Sequence, residues 1–258
     1  MEEFTVKPEK NGSFFLRVLP DIIAYFLGLA IAYFLHWETR DLVWSLWLSS
    51  LVIGYLTILS GIAGGVILAV YTVRTGDIST RFSTAAYLII AAVASFILVF
   101  FSFHFCGFHA GHSVFLNHFF PIDGLKTEEL MNAFMSPVAL WIIVFRYIAP
   151  SYAIFLLATV IAERKYLLQP LLKMIHRIRT GEPKTRVSDF LNSAGDKKPK
   201  NDIGKEFFGR PYLNVVRMHL LIFFFAFCFM MKIDSFYVYA VVYSVYFFPW
   251  KEVKESIF

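Results

Sequence analysis

The residues with the most scope for chemistry lie in one stretch, Phe100–Pro121, F-F-S-F-H-F-C-G-F-H-A-G-H-S-V-F-L-N-H-F-F-P. It holds four of the seven histidines and one of the two cysteines. On a helix, His104, Phe108 and His112 share a face at i, i+4 and i+8, while His109 and His112 stand one turn apart. Two imidazoles one turn apart suit a divalent transition metal, and such a site needs a third ligand. Candidates on the same side are His36, Glu38, Asp41, His118 and Asp123. Cys106 with Cys228, Met230 and Met231 makes a softer set that would suit copper. The competing interpretation is that interfacial histidines bond carbonyls or lipid headgroups while Met and Cys pack.

Positioning these groups falls to apolar helices. The chain of 258 residues is 58% hydrophobic, 19% aromatic and only 17% charged, with a mean hydropathy of +0.61, which excludes an ordinary soluble domain. Its apolar runs of about 18 to 25 residues match the length that crosses hydrocarbon about 30 Å thick. Within lipid such runs are helical, because each backbone polar group must be satisfied inside the segment. The expected fold is all-α, a polytopic transmembrane bundle of about six helices. The spacing predicts spans at about Phe14–His36, Leu42–Val73, Phe82 into the histidine stretch, Ser136–Ala162 with a kink at Pro150, Pro211–Met231 and Ser235–Trp250. Gly61 and Gly65 offer a smooth face on the second of these.

Residues 1–162 are thus read as helices one to four, 163–210 as a cytoplasmic amphipathic helix (Tyr166–Arg179) and basic linker, and 211–258 as helices five and six. The first apolar run follows an acidic, polar start without a small-residue cleavage pattern, and is read as a retained helix. Two cysteines are too few for a disulfide framework. Alternate sides of this topology carry nineteen and three Lys and Arg residues, which places both termini in the cytoplasm of a multi-pass inner-membrane protein. A net charge of +5 in a soluble protein would point to nucleic acid. Here twelve basic residues between Arg164 and Arg210 lie beside the membrane, so anionic lipid headgroups are the expected partner and nucleic acid is not.

Four charged or titratable groups fall within spans. His219 sits eight residues into helix five, roughly 20 Å below His104 at about 1.5 Å of rise per residue. Either a break at Gly107 or Gly111 turns the histidine stretch back into the membrane, or His219 serves another purpose. Asp21 and Arg217 share a depth and are expected to form an interhelical ion pair supported by His219. The alternative has Asp21 pairing with Arg17 while Arg217 snorkels to the headgroups. Arg146 lies about ten residues from the outer end of helix four. An arginine there calls for a cavity, backbone carbonyls or an anionic ligand.

The segment H104-F-C-G-F108…H112-S-V-F115-L resembles the H-Y-G-x-F…H-x-x-F helix of a family of prokaryotic integral membrane proteins of unknown function. L46-W-L-S-S-L-V-I-G54 is similar to that family's Y-W-x-E-x-x-x-x-G helix, and P211-Y-L-N-V-V-R-M-H219 to its P-Y-x-R…H segment. Ser49 stands where the family pattern has Glu and Asn214 where it has Arg, and the last helix lacks the family's Lys…Asp…His ending. If those polar groups act in the family, this member has lost the activity. The resemblance singles out His104, His112 and His219 and supplies no reaction.

Three functions follow as expectations. The first is a histidine-centred site of His104, His109, His112 and His219 at the outer end of helix three, binding a transition metal or haem. The second is a transporter or lipid-binding protein in which Arg146 meets an anionic ligand. The third is a structural or assembly partner, as a homo-oligomer or within a larger membrane complex.

Overall fold

The computed structural model describes residues 11–76, 80–180, 216, 219–233 and 235–250, and every regular element among them is helical. In chain order these are α1 (Asn11–Phe34), α2 (Thr39–Thr75), α3 (Thr80–Phe119), α4 (Thr127–Ala133) and α5 (Pro137–Ile143). A π-helical turn (Val144–Ile148), α6 (Ala149–Tyr152), α7 (Phe155–Thr180), α8 (His219–Met230) and α9 (Phe236–Phe247) follow. By length and composition α2 and the Phe82–Phe119 part of α3 can each cross a membrane, and Pro137–Tyr152 with Phe155–Arg164 makes a third candidate if that bent pair is one span.

The first three turns of α2 form the centre. Leu42 through Ser49 are buried without interruption, so this segment is enclosed on every side, as an apolar helix without a polar face requires. α7 packs along it, α3 runs antiparallel to it, and α1 closes against α7 and α9. α1 ends where His36 takes a left-handed φ of 53° and the Trp37 N–H bonds back to the Ala32 carbonyl. α2 then starts with the Asp41 carboxylate accepting from the Glu38 N–H at 3.0 Å, which satisfies one of the donors a helix start leaves open.

Two glycines let helices approach. A Cβ on Gly54 would lie 2.3 Å from the Phe105 ring, and one on Gly28 2.1 Å from the Tyr243 hydroxyl. By contrast a Cβ on Gly65 would meet nothing within 4 Å among the described residues.

The expected fourth span is not one kinked helix. Pro150 lacks an N–H and its ring crowds the carbonyl four residues back, that of Arg146. The backbone there widens into the π turn, in which the Ala149 N–H reaches the Val144 carbonyl. After Tyr152 the axis bends by 96° into α7. Contacts along α2 and α3 trace the path before that bend. Phe134 lies against Gly107 and Gly111, the Trp141 ring meets Tyr55 at 5.6 Å, and the Tyr152 hydroxyl bonds Asp41 at 3.0 Å. Residues 55 and 41 are about 21 Å apart along α2. The chain therefore leaves the end of α3, descends beside it, and climbs back to the end it left.

Asn117 sets up that descent, accepting from the Ile122 N–H at 3.0 Å and donating to the Leu125 carbonyl at 3.3 Å. α7 in turn runs unbroken through residue 162 into the expected amphipathic segment. The basic linker and the start of the expected fifth helix lie outside the described residues.

Candidate functional site

α3 is continuous from Thr80 to Phe119, without a break at Gly107 or Gly111, and yet His219 reaches it. His112 Nε2 and His219 Nε2 are 3.2 Å apart, with ring centroids at 4.3 Å and the planes nearly perpendicular. The sequence-based depth estimate assumed that helices three and five begin at one level. At 40 residues α3 is about 60 Å long, twice the hydrocarbon thickness, so its start says little about its neighbours. Aromatic contacts set the register instead. Phe229 packs on Phe119 and Phe120, and Phe225 on Phe120, which lays α8 parallel to the last third of α3.

His109 is committed elsewhere. It is fully buried, with Nδ1 3.0 Å from the Phe105 carbonyl and Nε2 3.2 Å from Ser50 Oγ. Nδ1 must carry the proton to bond a carbonyl, so Nε2 accepts from the serine. Both nitrogens are occupied, and the ring acts as a bridge between α2 and α3. His104 lies exposed along α3, its ring 5.5 Å from Phe100 and 4.9 Å from Phe108. Eight residues put it about 12 Å from His112 along the axis, too far to share an ion. His36 closes α1, and His118 is exposed beside Phe119. Cys106 and Cys228 are both buried free thiols, while Met230 and Met231 are exposed. Among the described residues no group of three or more His, Cys, Asp or Glu side chains is placed to hold a metal ion.

What does form is a two-histidine site in an apolar setting. A cavity of about 350 Å³ lies between α3, α8 and Phe134, and His112 and His219 are among its lining residues. Gly107 lets Phe134 come close: a Cβ there would stand a tight 3.3 Å from the Phe134 carbonyl, whereas one on Gly111 would make an ordinary contact at 3.6 Å with the Phe134 ring. A glycine suspected of breaking the helix instead admits the returning segment. His112 is 6% exposed, and its Nδ1 is buried without a hydrogen-bond partner among the described residues. A buried imidazole nitrogen left open in this way costs about 1–3 kcal/mol.

The other two predicted sites divide. Asp21 on α1 bonds the Arg164 guanidinium of α7, and the pair is largely buried. Sequence reasoning gave the carboxylate Arg217 or Arg17, whose side chains both lie outside the described residues, and placed Arg164 in the cytoplasmic loop. The continuity of α7 brings Arg164 to the depth of Asp21. Arg146 is exposed on the π turn with its guanidinium 5.2 Å over the Tyr147 ring, and it does not line the cavity. The 96° bend explains the difference, because residues before Tyr152 do not continue the axis of α7 and a residue count along one helix misplaces them.

Sequence reasoning missed Ser50 and Phe134. Ser50 carried no signal, and Phe134 was one apolar residue in a polar excursion. It did quote the residues that dock the site's helices. Trp47 donates its indole N–H to the His109 carbonyl at 3.1 Å, Gly54 faces Phe105, and Ser49 bonds Thr159 at 3.1 Å. The segments around Trp47 and His109 thus pack on each other, and His219 meets the same helix at His112.

No curated protein and no solved structure matches the chain. The family of unknown function DUF6498 matches residues 17–178, more than half of the chain. Two of the three quoted segments fall inside that range and the one ending at His219 falls outside it. The chain belongs to the family of unknown function DUF6498.

Proposed function

We propose that this is a six-span, multi-pass inner-membrane protein with both termini in the cytoplasm, whose working centre is the His112–His219 pair holding a divalent transition-metal ion. One observation carries the reading: two imidazoles from helices remote in sequence meet at Nε2···Nε2 3.2 Å beside a cavity. Two metal–nitrogen bonds of about 2.0–2.1 Å at a tetrahedral angle separate their nitrogens by about 3.3 Å, so an ion enters with little movement. A haem iron between axial imidazoles needs about 4 Å and room for a macrocycle, and fits less well. An open site uses three protein ligands with water or substrate in the fourth position; the described residues supply two of them, and the reading requires a third.

The topology rests on the distribution of Lys and Arg. In this reading Thr127–Tyr152 re-enters from the outer side and returns to it, α7 makes the fourth crossing, and the basic segment after it lies against anionic headgroups. An anionic ligand at Arg146 has weaker support, since the guanidinium borders no part of the cavity.

Elemental analysis of protein purified from metal-replete culture tests the site. Near one equivalent of a transition metal is expected, lost in the H112A/H219A double variant and retained in H118A. Absence of metal from the wild type, or equal content in the double variant, refutes it.

A further inference from the structure

We infer that the cavity beside His112 and His219 takes a ligand dissolved in the bilayer, a molecule with a flat, carbonyl-bearing ring head and an apolar tail, of which a benzoquinone is the simplest chemistry. The inference rests on the reading that the histidine pair is the working site, and names what reaches it.

The cavity is built for such a head. Its walls include Phe108, Phe115, Phe134 and Phe223, with the two histidines among them. A volume of about 350 Å³ lies at the low end of small-molecule sites. It holds a substituted ring but not a whole lipid. The four phenylalanines present faces and edges to a flat guest, the arrangement aromatic groups prefer.

The ligand's route follows from exposure. Phe134 is 51% exposed and Phe223 68% exposed, and both stand at the cavity's rim. In the six-span reading His219 lies eight residues, about 12 Å, into its span, so the cavity's mouth faces hydrocarbon and an apolar tail continues into the acyl chains. A water-soluble anion would meet neither a positive charge nor an aqueous entrance among the described lining residues.

The head's oxygen is selected by the imidazoles. In a neutral pair one Nε2 donates to the other, and a carbonyl oxygen entering from the cavity takes that N–H in the partner ring's place. A carbonyl oxygen accepts an imidazole N–H, whereas a saturated hydrocarbon would leave both rings as they are. Hydrogen bonding inside an apolar site discriminates strongly, because the wrong guest leaves polar groups unpaired.

The test is equilibrium binding of tritiated decyl-benzoquinone to the full chain in phosphatidylcholine nanodiscs, with decylbenzene as competitor. Saturable binding near one site per chain is expected, weakened at least tenfold in H219A and in G111L, which fills the cavity and keeps both histidines. If G111L melts early, F223W fills the site from α8. Non-saturable uptake, equal affinity in both cavity-filling variants, or competition by decylbenzene as effective as by unlabelled quinone overturns the inference. G111L is expected to keep its metal, so loss of quinone binding with metal retained separates this inference from the metal reading. Quinone binding without metal would sink the metal reading alone.

Discussion

Gly54 is the position where a single methyl group tests the packing beneath the site. A Cβ there would stand 2.3 Å from the Phe105 ring, against about 3.4 Å for ordinary contact, so about 1 Å of movement is needed. Phe105 is fully buried with the His109 ring 4.4 Å behind it, and His109 is held by Ser50 and its own helix. A fully buried ring passes any shift on to its neighbours. Overpacking of this kind costs about 1–3 kcal/mol, and at about 2–4 °C per kcal/mol for a chain of this size Gly54→Ala is expected to melt about 2–12 °C below wild type on packing alone. Intrinsic propensity works the other way, since alanine favours a helix over glycine by about 1 kcal/mol, so the sign itself is diagnostic. Differential scanning fluorimetry in nanodiscs measures the shift. The G54A/F105L double variant isolates its cause: smaller Phe105 should absorb the methyl, with a favourable coupling of about 1 kcal/mol. A G54A melt equal to or above wild type, or strict additivity in the double variant, would refute the claim that Phe105 occupies the space glycine leaves.

Asp21→Asn should destabilise by more than an exposed ion pair does, above about 1 kcal/mol, because Arg164 then sits partly buried without its carboxylate; D21N/R164M should recover much of the loss, and if it melts no higher than D21N the pair is not what matters. Arg146→Gln should leave the melt within about 0.5 kcal/mol of wild type, as expected of an exposed side chain lying over its neighbour's ring. A large fall on that change would show that Arg146 has a partner the exposed position does not suggest and would return attention to an anionic ligand.

Much of the architecture was legible because lipid leaves few options. Composition and run length required apolar helices, and the 3.6-residue period put the histidines on one. The end of the first helix and the start of the second were readable within a few residues, since a polar turn such as W-E-T-R-D is costly within hydrocarbon. The residues quoted as a family resemblance, Trp47, Gly54, His112 and His219, are also those at which α2, α3 and α8 touch.

Three things only the tertiary structure decided. Periodicity is a property of one helix and carries no information on its axial register against another, so His219 seemed out of reach until aromatic packing aligned α8 with α3. It shows that imidazoles share a helix, not which nitrogens are already taken, and Ser50 removes His109 from any ligand set. An apolar run can be one helix or two, and the π turn and bend before α7 gave Arg146 and Arg164 levels that counting residues reverses. Sequence determines which surfaces must leave water, through local chemistry; which of them meet depends on contacts between residues 107 positions apart, as with His112 and His219, and that is settled only in three dimensions.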